Sequence, residues 1–328
     1  MTELTLAAGA TTVTVAPGRG GKLVQLEHGG RALLAQRTSP VPLRASASTT
    51  YGEEKLDWLS DYDGGWDVLF PNAGDACLVD GIPLPFHGEA SRADWTVEEL
   101  ADDHVTMSTP CRLPVLLRRT VRVAEARVFI EEEAVNLSDI DVTVLWGHHP
   151  VFAATTGLRI DVPDCVVNAD VGYAPDVGDV APAAVGRWPH IDGRNSPVDL
   201  SVVPGGDVER YVGLSELVAP WAAWRDPAVG VGVGLAFDPD VFAHLWLWLE
   251  CGGRDFPWLG NVRYLGLEPQ SWWPGTGLAA ARAAGGGVVV PAGGSRSTWV
   301  TASVFGADDR PVTGVDRDGT VHHSKPSA

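Results

Sequence analysis

The feature that most restricts the fold of this chain is an apolar pattern that repeats every second residue. In the run AHLWLWLECGG (243–253), leucines alternate with His244, Trp246, Trp248 and Glu250. Successive side chains on a β-strand point to opposite faces, so this period predicts a strand with one leucine face and one aromatic and polar face. Similar short apolar or alternating runs occur at 11–17, 22–30, 142–149 and 231–237.

The spacing of these runs indicates the fold class. Residues 115–136 alternate aliphatic and charged side chains and predict a hairpin or meander. The chain contains 38 Gly and 24 Pro, which favours frequent turns and few helices. Many short strands joined by such turns predict an all-β antiparallel sandwich or barrel. Helical character is limited to a turn or two at 96–103 and a short Ala-rich helix within 277–287.

The domain organisation is expected to be simple. A chain of 328 residues could hold two domains, but large β-sandwiches reach this length as one. We expect a single domain over residues 1–314 and a frayed tail over residues 315–328. The Pro-, Gly- and Asp-rich segment 174–207 could be a linker, but its Trp188 and His190 favour an ordered surface loop.

Charge and composition exclude several classes of partner. The formal net charge is −18, so nucleic acid and anionic membrane surfaces are disfavoured and a small neutral substrate is favoured. No apolar run approaches the roughly 20 residues of a membrane helix, and the first residues lack a signal-peptide pattern. Four widely spaced cysteines show neither a metal-binding pair nor a disulfide framework. We therefore expect a cytoplasmic protein; the sequence does not indicate its oligomeric state.

Three segments combine acid or base side chains with apolar or glycine-bounded surroundings. His87 follows a Pro–Phe pair and precedes a glycine, His149 lies in LWGHHPVF (145–152), and Glu268 ends an apolar strand immediately before Pro269. Each residue alone is more typical of a structural role. Together, and flanked by indoles, they indicate an acid–base centre.

The order of these segments resembles the aldose 1-epimerase family of the galactose mutarotase-like superfamily. Its early His–Gly pair, later His-x-aromatic-Phe segment and late Glu–Pro pair are matched by His87–Gly88, His149–Phe152 and Glu268–Pro269. Residues 285–305 are similar to the family's closing strand pair, so the resemblance runs over about residues 1–306. It implies a large antiparallel β-sandwich of the mutarotase-like type, often called a supersandwich, with few short helices.

The resemblance also implies an activity. The chain would be an isomerase that interconverts the α and β anomers of a free sugar without a cofactor or metal. Glu268 would act as the base and His149 as the acid, with their roles exchanged on ring closure, while His87 would orient the sugar. His148 and His149 are adjacent, so only one can face a pocket on a strand, and the spacing to Phe152 favours His149.

The sequence departs from the family pattern near the expected sugar. Val151 stands where an aromatic residue is usual, and FPNAGD (70–75) lacks the sugar-binding Arg of many relatives. These differences favour an unusual or modified sugar. Sugar contacts are expected from Trp66, Asn72, Asp75 and Trp272, with Trp95 and Trp273 as further candidates.

Two other functions fit the same residues. A non-catalytic carbohydrate-binding or sensing protein could use this fold, since fold does not determine function. A metal-dependent enzyme could use His87, His149 and Glu268 as ligands, although they lack a local metal-binding spacing.

Overall fold

The computed structural model describes residues 3–37, 54–173 and 175–325. The first half contains β1 (Leu4–Ala8), β2 (Thr11–Ala16), β3 (Lys22–His28), β4 (Arg31–Ala32), α1 (Glu54–Asp61), β5 (Trp66–Leu69), β6 (Cys77–Val79), β7 (Ile82–Leu84), a 3₁₀ turn (Ala90–Arg92), β8 (Thr96–Leu100), β9 (His104–Pro110), β10 (Val115–Ala124), β11 (Arg127–Asn136), β12 (Val142–Val144) and β13 (Gly147–Ala153).

The second half contains β14 (Arg159–Asp161), β15 (Val166–Ala169), β16 (Val185–Arg187), β17 (His190–Ile191), β18 (Val198–Asp199), β19 (Val208–Ser215), β20 (Trp221–Asp226), β21 (Val231–Phe237), β22 (His244–Cys251), β23 (Arg263–Gln270), α2 (Gly277–Ala283), β24 (Val288–Val290), β25 (Ser295–Gly306), β26 (Val312–Val315) and β27 (Val321–His323).

Two large antiparallel sheets dominate the structure. A 13-stranded sheet runs β1-β2-β3-β5-β13-β23-β22-β19-β15-β16-β17-β18, with β4 paired to β3, and an 8-stranded sheet runs β14-β20-β21-β25-β11-β10-β9-β8. The main buried cluster combines apolar side chains from both sheets. The predicted all-β antiparallel sandwich is confirmed. No helix in the described ranges is long and apolar enough to span a membrane.

The alternating patterns place side chains as expected. Leu245, Leu247 and Leu249 of β22 are at most 1% exposed and belong to the main core, whereas the intervening Trp246 and Trp248 occupy the other face of the strand. The run at 115–136 forms the hairpin β10–β11, in which Ala124 pairs with Arg127. The short helix expected within 277–287 is α2.

One local expectation differs from the structure. Residues 96–103 do not form a helical turn; Thr96–Leu100 is the exposed edge strand β8, because pairing with β9 satisfies its backbone. Within the expected tail, Val321–His323 pairs with Val312–Val315. Segment 174–207 contributes the short strands β16, β17 and β18, as expected of an ordered loop.

A buried charge network joins the two large sheets. Glu132 on β11 accepts hydrogen bonds from Arg119 Nε and Trp146 Nε1, both at 2.6 Å. On β13, His148 Nε2 lies 3.2 Å from Glu132 Oε2, and His148 Nδ1 accepts from Trp66 Nε1 at 3.1 Å. The side chains of Arg119, Glu132 and His148 are all fully buried. The network therefore attaches β13 to the opposite sheet at His148.

Electrostatics determines the ionisation of this network. Burial alone would raise the pKa of Glu132, but the charge of Arg119 and the proximity of His148 lower it to about 2. Glu132 is therefore ionised at neutral pH and compensates the buried guanidinium.

Replacing Glu132 with Gln should destabilise the fold by about 3–5 kcal/mol, because Arg119 would be left buried without a counter-charge. Urea unfolding measures the change, with Glu98→Gln as the control. Glu98 pairs with Arg118 at 2.9 Å on the surface, where such a pair contributes about 0–1 kcal/mol.

The Glu132→Gln effect should also depend on pH. The folded-state pKa of Glu132 is lowered to about 2, so its stabilisation is complete above the unfolded-state pKa. The stabilisation is lost progressively as the pH falls from there through the folded-state pKa. The gap in unfolding free energy between wild type and variant should narrow between pH 5 and pH 2. A constant gap would show that the charge of Glu132 does not contribute.

Candidate active site

Strand register brings an acid and a base together on one face of the larger sheet. Gly147 pairs with Gln270 and Val151 with Gly266, so His149 on β13 faces Glu268 on β23. His149 Nε2 lies 3.6 Å from Glu268 Oε1. On the other side of β23, Trp246 pairs with Glu268, so the aromatic face of β22 continues the same surface.

Gly266 provides the space for the Glu268 carboxylate. A Cβ added at Gly266 would lie 2.4 Å from Glu268 Oε1, closer than any stable contact allows. The carboxylate therefore folds back over the backbone two residues before it.

His87 is held in one orientation by Gly74. The backbone of His87 has φ +59°, in the left-handed region, at the loop that follows β7. Gly74 N–H donates to His87 Nδ1 at 3.1 Å, and His87 N–H donates to Gly74 O at 2.9 Å. Because a backbone N–H can only donate, Nδ1 is the acceptor and the neutral ring carries its proton on Nε2. His87 therefore offers one fixed donor, with its ring centroid 5.6 Å from that of His149.

Tyr62 orients His149. Its hydroxyl lies 3.1 Å from His149 Nδ1, and burial raises the pKa of Tyr62 well above 10, so the phenol stays neutral. Lys22 Nζ lies 5.0 Å from the centre of the Tyr62 ring and contacts Asp63 at 2.8 Å and Asp67 at 3.2 Å. Lys22 and Asp67 are buried, and this ion group lies next to the Tyr62 ring.

Desolvation shifts all three central groups toward their neutral forms. Burial raises the pKa of Glu268 well above 4.5, lowers that of His149 to about 3 and lowers that of His87 well below 6.5. Burial therefore favours the protonated carboxyl of Glu268 and the neutral imidazole of His149. Glu268 Oε2 is buried and makes no hydrogen bond to any residue in the described ranges, so a ligand hydroxyl could pair with it.

Aromatic rings enclose the centre. Phe86 and Trp58 lie 3.9 and 4.7 Å from the His87 ring, and Trp248 lies 5.7 Å from the His149 ring. Trp246 completes this group at 6.4 Å from His87. Such surfaces suit the C–H face of a sugar ring.

Comparison with solved structures identifies the fold. A protein from Escherichia coli K12 proposed to be an aldose 1-epimerase matches 93% of this chain and 99% of its own, with TM-score 0.69 and 14% identity. A galactose mutarotase-like protein from Lactobacillus casei matches 93% and 100%, with TM-score 0.63 and 16% identity. A galactose mutarotase related enzyme from Lactobacillus acidophilus matches 94% and 99%, with TM-score 0.63 and 14% identity.

The fold is a galactose mutarotase-like β-sandwich. Identities this low establish the fold alone, and the activity has to be argued from the site. No sequence-family model matches the chain, and no curated protein matches it.

Within this mutarotase-like sandwich, the three residues expected at the centre are brought together. His87, His149 and Glu268 are 7%, 6% and 1% exposed and converge on one surface. His148 points to the opposite face, into the network around Glu132. The alternation of side chains along β13 accounts for this separation of adjacent histidines.

The residues expected to contact sugar lie elsewhere. Trp66 does not reach the centre, because its fully buried indole projects to the core face and donates to His148. The Asn72 side chain donates to Asp75 O and Pro85 O and accepts from Leu278 N–H, so it holds the loop before His87.

The remaining candidates are also peripheral. Asp75 is exposed. Trp272 is half-buried against Gly286, whose added Cβ would lie 2.1 Å from the indole. Trp95 is fully buried in the core, whereas Trp273 packs against Tyr211 and Trp246 beside the aromatic surface.

Sequence reasoning missed Trp58, Tyr62 and the roles of Trp246 and Trp248. The two tryptophans of β22 could have been found, because the period of two already separated them from the leucines. Trp58 and Tyr62 are four residues apart, the spacing of one helical face, but the short polar helix α1 gave no clear helical pattern.

No metal centre is formed by the described ranges: no group of three His, Cys, Asp or Glu side chains there is arranged to hold an ion.

The central histidines should remain neutral in mildly acidic solution. Long-range ¹H–¹⁵N NMR should show His87 protonated on Nε2 alone, and neither His87 nor His149 should titrate between pH 8 and pH 5, because burial lowers both pKa values. His104 is the internal control: hydrogen bonds to Asp103 and Glu99 raise its pKa, so it should become charged within this range. A His87 ring that titrates with an ordinary pKa near 6.5 would contradict the desolvated site.

Proposed function

We propose that this protein is an aldose 1-epimerase that interconverts the α and β anomers of a free sugar. The observation that carries the proposal is the buried Glu268–His149 pair, 3.6 Å apart, with His87 held beside it as a fixed donor. Opening a cyclic hemiacetal requires one group to accept the anomeric hydroxyl proton and another to protonate the ring oxygen. A carboxyl and an imidazole at this distance can serve as the base and the acid of this reaction.

The reaction follows from these positions. Glu268 accepts the proton of the anomeric hydroxyl while the O–H electrons form the aldehyde C=O bond. The bond between the anomeric carbon and the ring oxygen breaks, and the ring oxygen takes the proton of His149 Nε2. Rotation about the C1–C2 bond presents the other aldehyde face. The same groups then act in reverse, so the reaction leaves the enzyme unchanged.

The proton count of the pair is consistent with this cycle. Desolvation disfavours both charged forms, so burial favours a proton on Glu268 and a neutral His149. Moving that proton to His149 gives a carboxylate beside an imidazolium, with the same net charge. Sugar hydroxyls that enter the site would stabilise this ion pair by donating hydrogen bonds to the carboxylate.

Two further contacts would position the substrate. His87 Nε2–H would donate to the ring oxygen or a neighbouring hydroxyl, and the aromatic group formed by Trp58, Phe86, Trp246 and Trp248 would pack against the C–H face. Sugars would be aligned by these contacts before ring opening.

Glu268→Gln should reduce kcat for anomer exchange by about 10²–10⁴-fold, because the amide cannot accept the hydroxyl proton. Selective saturation transfer between the anomeric protons of a sugar at equilibrium measures the rate directly.

The matched control is Glu250→Gln. Glu250 has a buried carboxyl and lies on the face of β22 that also carries Trp246 and Trp248. Burial raises its pKa to about 8, so an amide imitates its neutral form at pH 7. The control should keep wild-type activity. If calorimetry detects sugar binding but the wild-type protein does not accelerate anomer exchange, a binding protein is favoured over an enzyme.

Gly266→Ala should lower kcat at least about tenfold while the fold is retained, because its methyl group would displace the Glu268 carboxylate. Gly306→Ala serves as the control, since an added Cβ there meets no atom within 4 Å. Far-UV circular dichroism checks the fold of both variants. Full activity in Gly266→Ala would mean that the position of the Glu268 carboxylate does not matter.

A further inference from the structure

A cavity of about 320 Å³ lies on the outer face of the smaller sheet. Ile130 on β11 and Val300 on β25 are buried in the core between the sheets, so their neighbours Phe129 and Trp299 project away from that core and line the cavity. His149 projects from the larger sheet in the opposite direction. The cavity and the candidate active site are therefore on opposite sides of the sandwich.

Two arginines lie on aromatic rings at this cavity. Arg122 Cζ is 4.2 Å from the centre of the Phe129 ring, and Arg317 Cζ is 4.8 Å from the Trp299 ring. Arg122 pairs with Phe129 across β10 and β11. Arg317 belongs to the turn between β26 and β27, which is attached to the sheet because Thr301 Oγ1 donates to its carbonyl at 2.8 Å. Stacking and this anchor hold both guanidinium groups over the sheet.

Strand register places the two stacked pairs side by side. Phe129 pairs with Thr301 between β11 and β25, so Trp299 is the diagonal neighbour of Phe129 on the same face. Diagonal neighbours in an antiparallel sheet are about 7–8 Å apart. A ligand of monosaccharide size can therefore contact both guanidinium groups at once.

Neither guanidinium group is neutralised by an ion pair. No carboxylate oxygen of the described residues lies within 4.0 Å of Arg122 or Arg317. Acidic residues are in excess in this chain, 42 against 24 basic ones, and other exposed arginines do have such partners. Arg118, on the same strand as Arg122, lies 2.9 Å from Glu98. The cavity is thus a local exception to the negative charge of the protein.

The carboxylates nearest to these arginines have different roles. Asp318 lines the cavity and accepts a hydrogen bond from Thr320 N–H at 2.9 Å. Asp103 interacts with the charge of Arg122 but lies 2.9 Å from His104 Nδ1. Glu131 also lines the cavity, and its carboxylate makes no ion pair or hydrogen bond with another described side chain. A free acceptor beside two cations suits a ligand that carries both an acidic group and hydroxyl groups.

We propose that this cavity is a second binding site, which takes a small sugar that carries a phosphate or carboxylate group. Arg122 and Arg317 donate charge-assisted hydrogen bonds to the acidic group, and Glu131 accepts a hydrogen bond from a sugar hydroxyl. The exposed parts of Phe129 and Trp299 contact C–H groups of the sugar ring. The proposal is independent of the anomerase activity, because no residue of the candidate active site takes part.

An NMR titration of the wild-type protein tests the site directly. The probes are glucose 6-phosphate, glucuronate, glucose and inorganic phosphate, and the reporters are the Nε–H signals of Arg122 and Arg317 and the indole N–H signal of Trp299. We expect at least one acidic sugar to shift all three signals with a Kd of about 1 mM or below. Glucose and inorganic phosphate should bind at least about tenfold more weakly, because each lacks one of the two recognised features.

Two results of this titration would overturn the proposal. Acidic sugars that leave the three signals unchanged, even if they bind at the candidate active site, would show that the cavity is not their site. Glucose or inorganic phosphate that binds as tightly as the best acidic sugar would contradict the ligand class.

Substitutions of the exposed arginines assign the contacts. Arg122→Gln and Arg317→Gln should each weaken binding of the acidic sugar at least about tenfold, because each removes a charge-assisted hydrogen bond. Arg317→Lys should bind between wild type and Arg317→Gln, since it keeps the charge but loses the planar donor group. The control is Arg310→Gln, an exposed arginine outside the cavity that lies 2.7 Å from Asp308, and it should bind like wild type. Unchanged affinity in both glutamine variants of the cavity would overturn the proposed role of its arginines.

Discussion

The candidate active face of this protein depends on a carboxylate buried between its two sheets. Glu132 of the smaller sheet compensates Arg119 and lies against His148 of the larger one. A buried charge without a counter-charge is costly, and here Glu132 compensates Arg119 while it contacts His148 on β13. With His148 held in the core, the next residue must project to the opposite face. The position of His149 beside Glu268 is thus a consequence of how the sheets are joined.

The same surface shows how a rigid sheet can support proton transfer. Cross-strand register sets the distance between Glu268 and His149, and Gly266 leaves room for the carboxylate. Both groups are nearly dehydrated, which moves their pKa values toward the neutral forms. A dry site strengthens the electrostatic effect of any polar ligand. A hydroxyl group that paired with Glu268 here would affect its protonation more than it could on an exposed surface.

The mutarotase-like fold and the chemistry are separate conclusions. Neighbours at 14–16% identity establish the sandwich, and such folds carry more than one function. The proposed activity depends instead on His87, His149 and Glu268 and on proton transfer by the last two. The surroundings of those side chains are aromatic, and Lys55 Nζ lies 5.3 Å from the centre of the Phe86 ring.

The sequence by itself determined the antiparallel β class and the face of β22 that carries Trp246 and Trp248. Strand periodicity is a local property, because it follows from the alternation of side chains along one strand. The three central residues were found through a family resemblance, since no spacing between them indicates contact. The alternating pattern could not show whether Trp66 points to the core or to the candidate site, because alternation along a strand does not tell which face meets the core.

Tertiary structure decided everything that depends on partners distant in the chain. The pairing of β13 with β23 placed His149 opposite Glu268, and the helix α1 brought Trp58 and Tyr62 to the histidines. His148 lies against Glu132 of the other sheet, whereas His149 lies beside Glu268. Register, sheet packing and loop closure are set by the sum of many long-range contacts, which no local stretch of sequence contains.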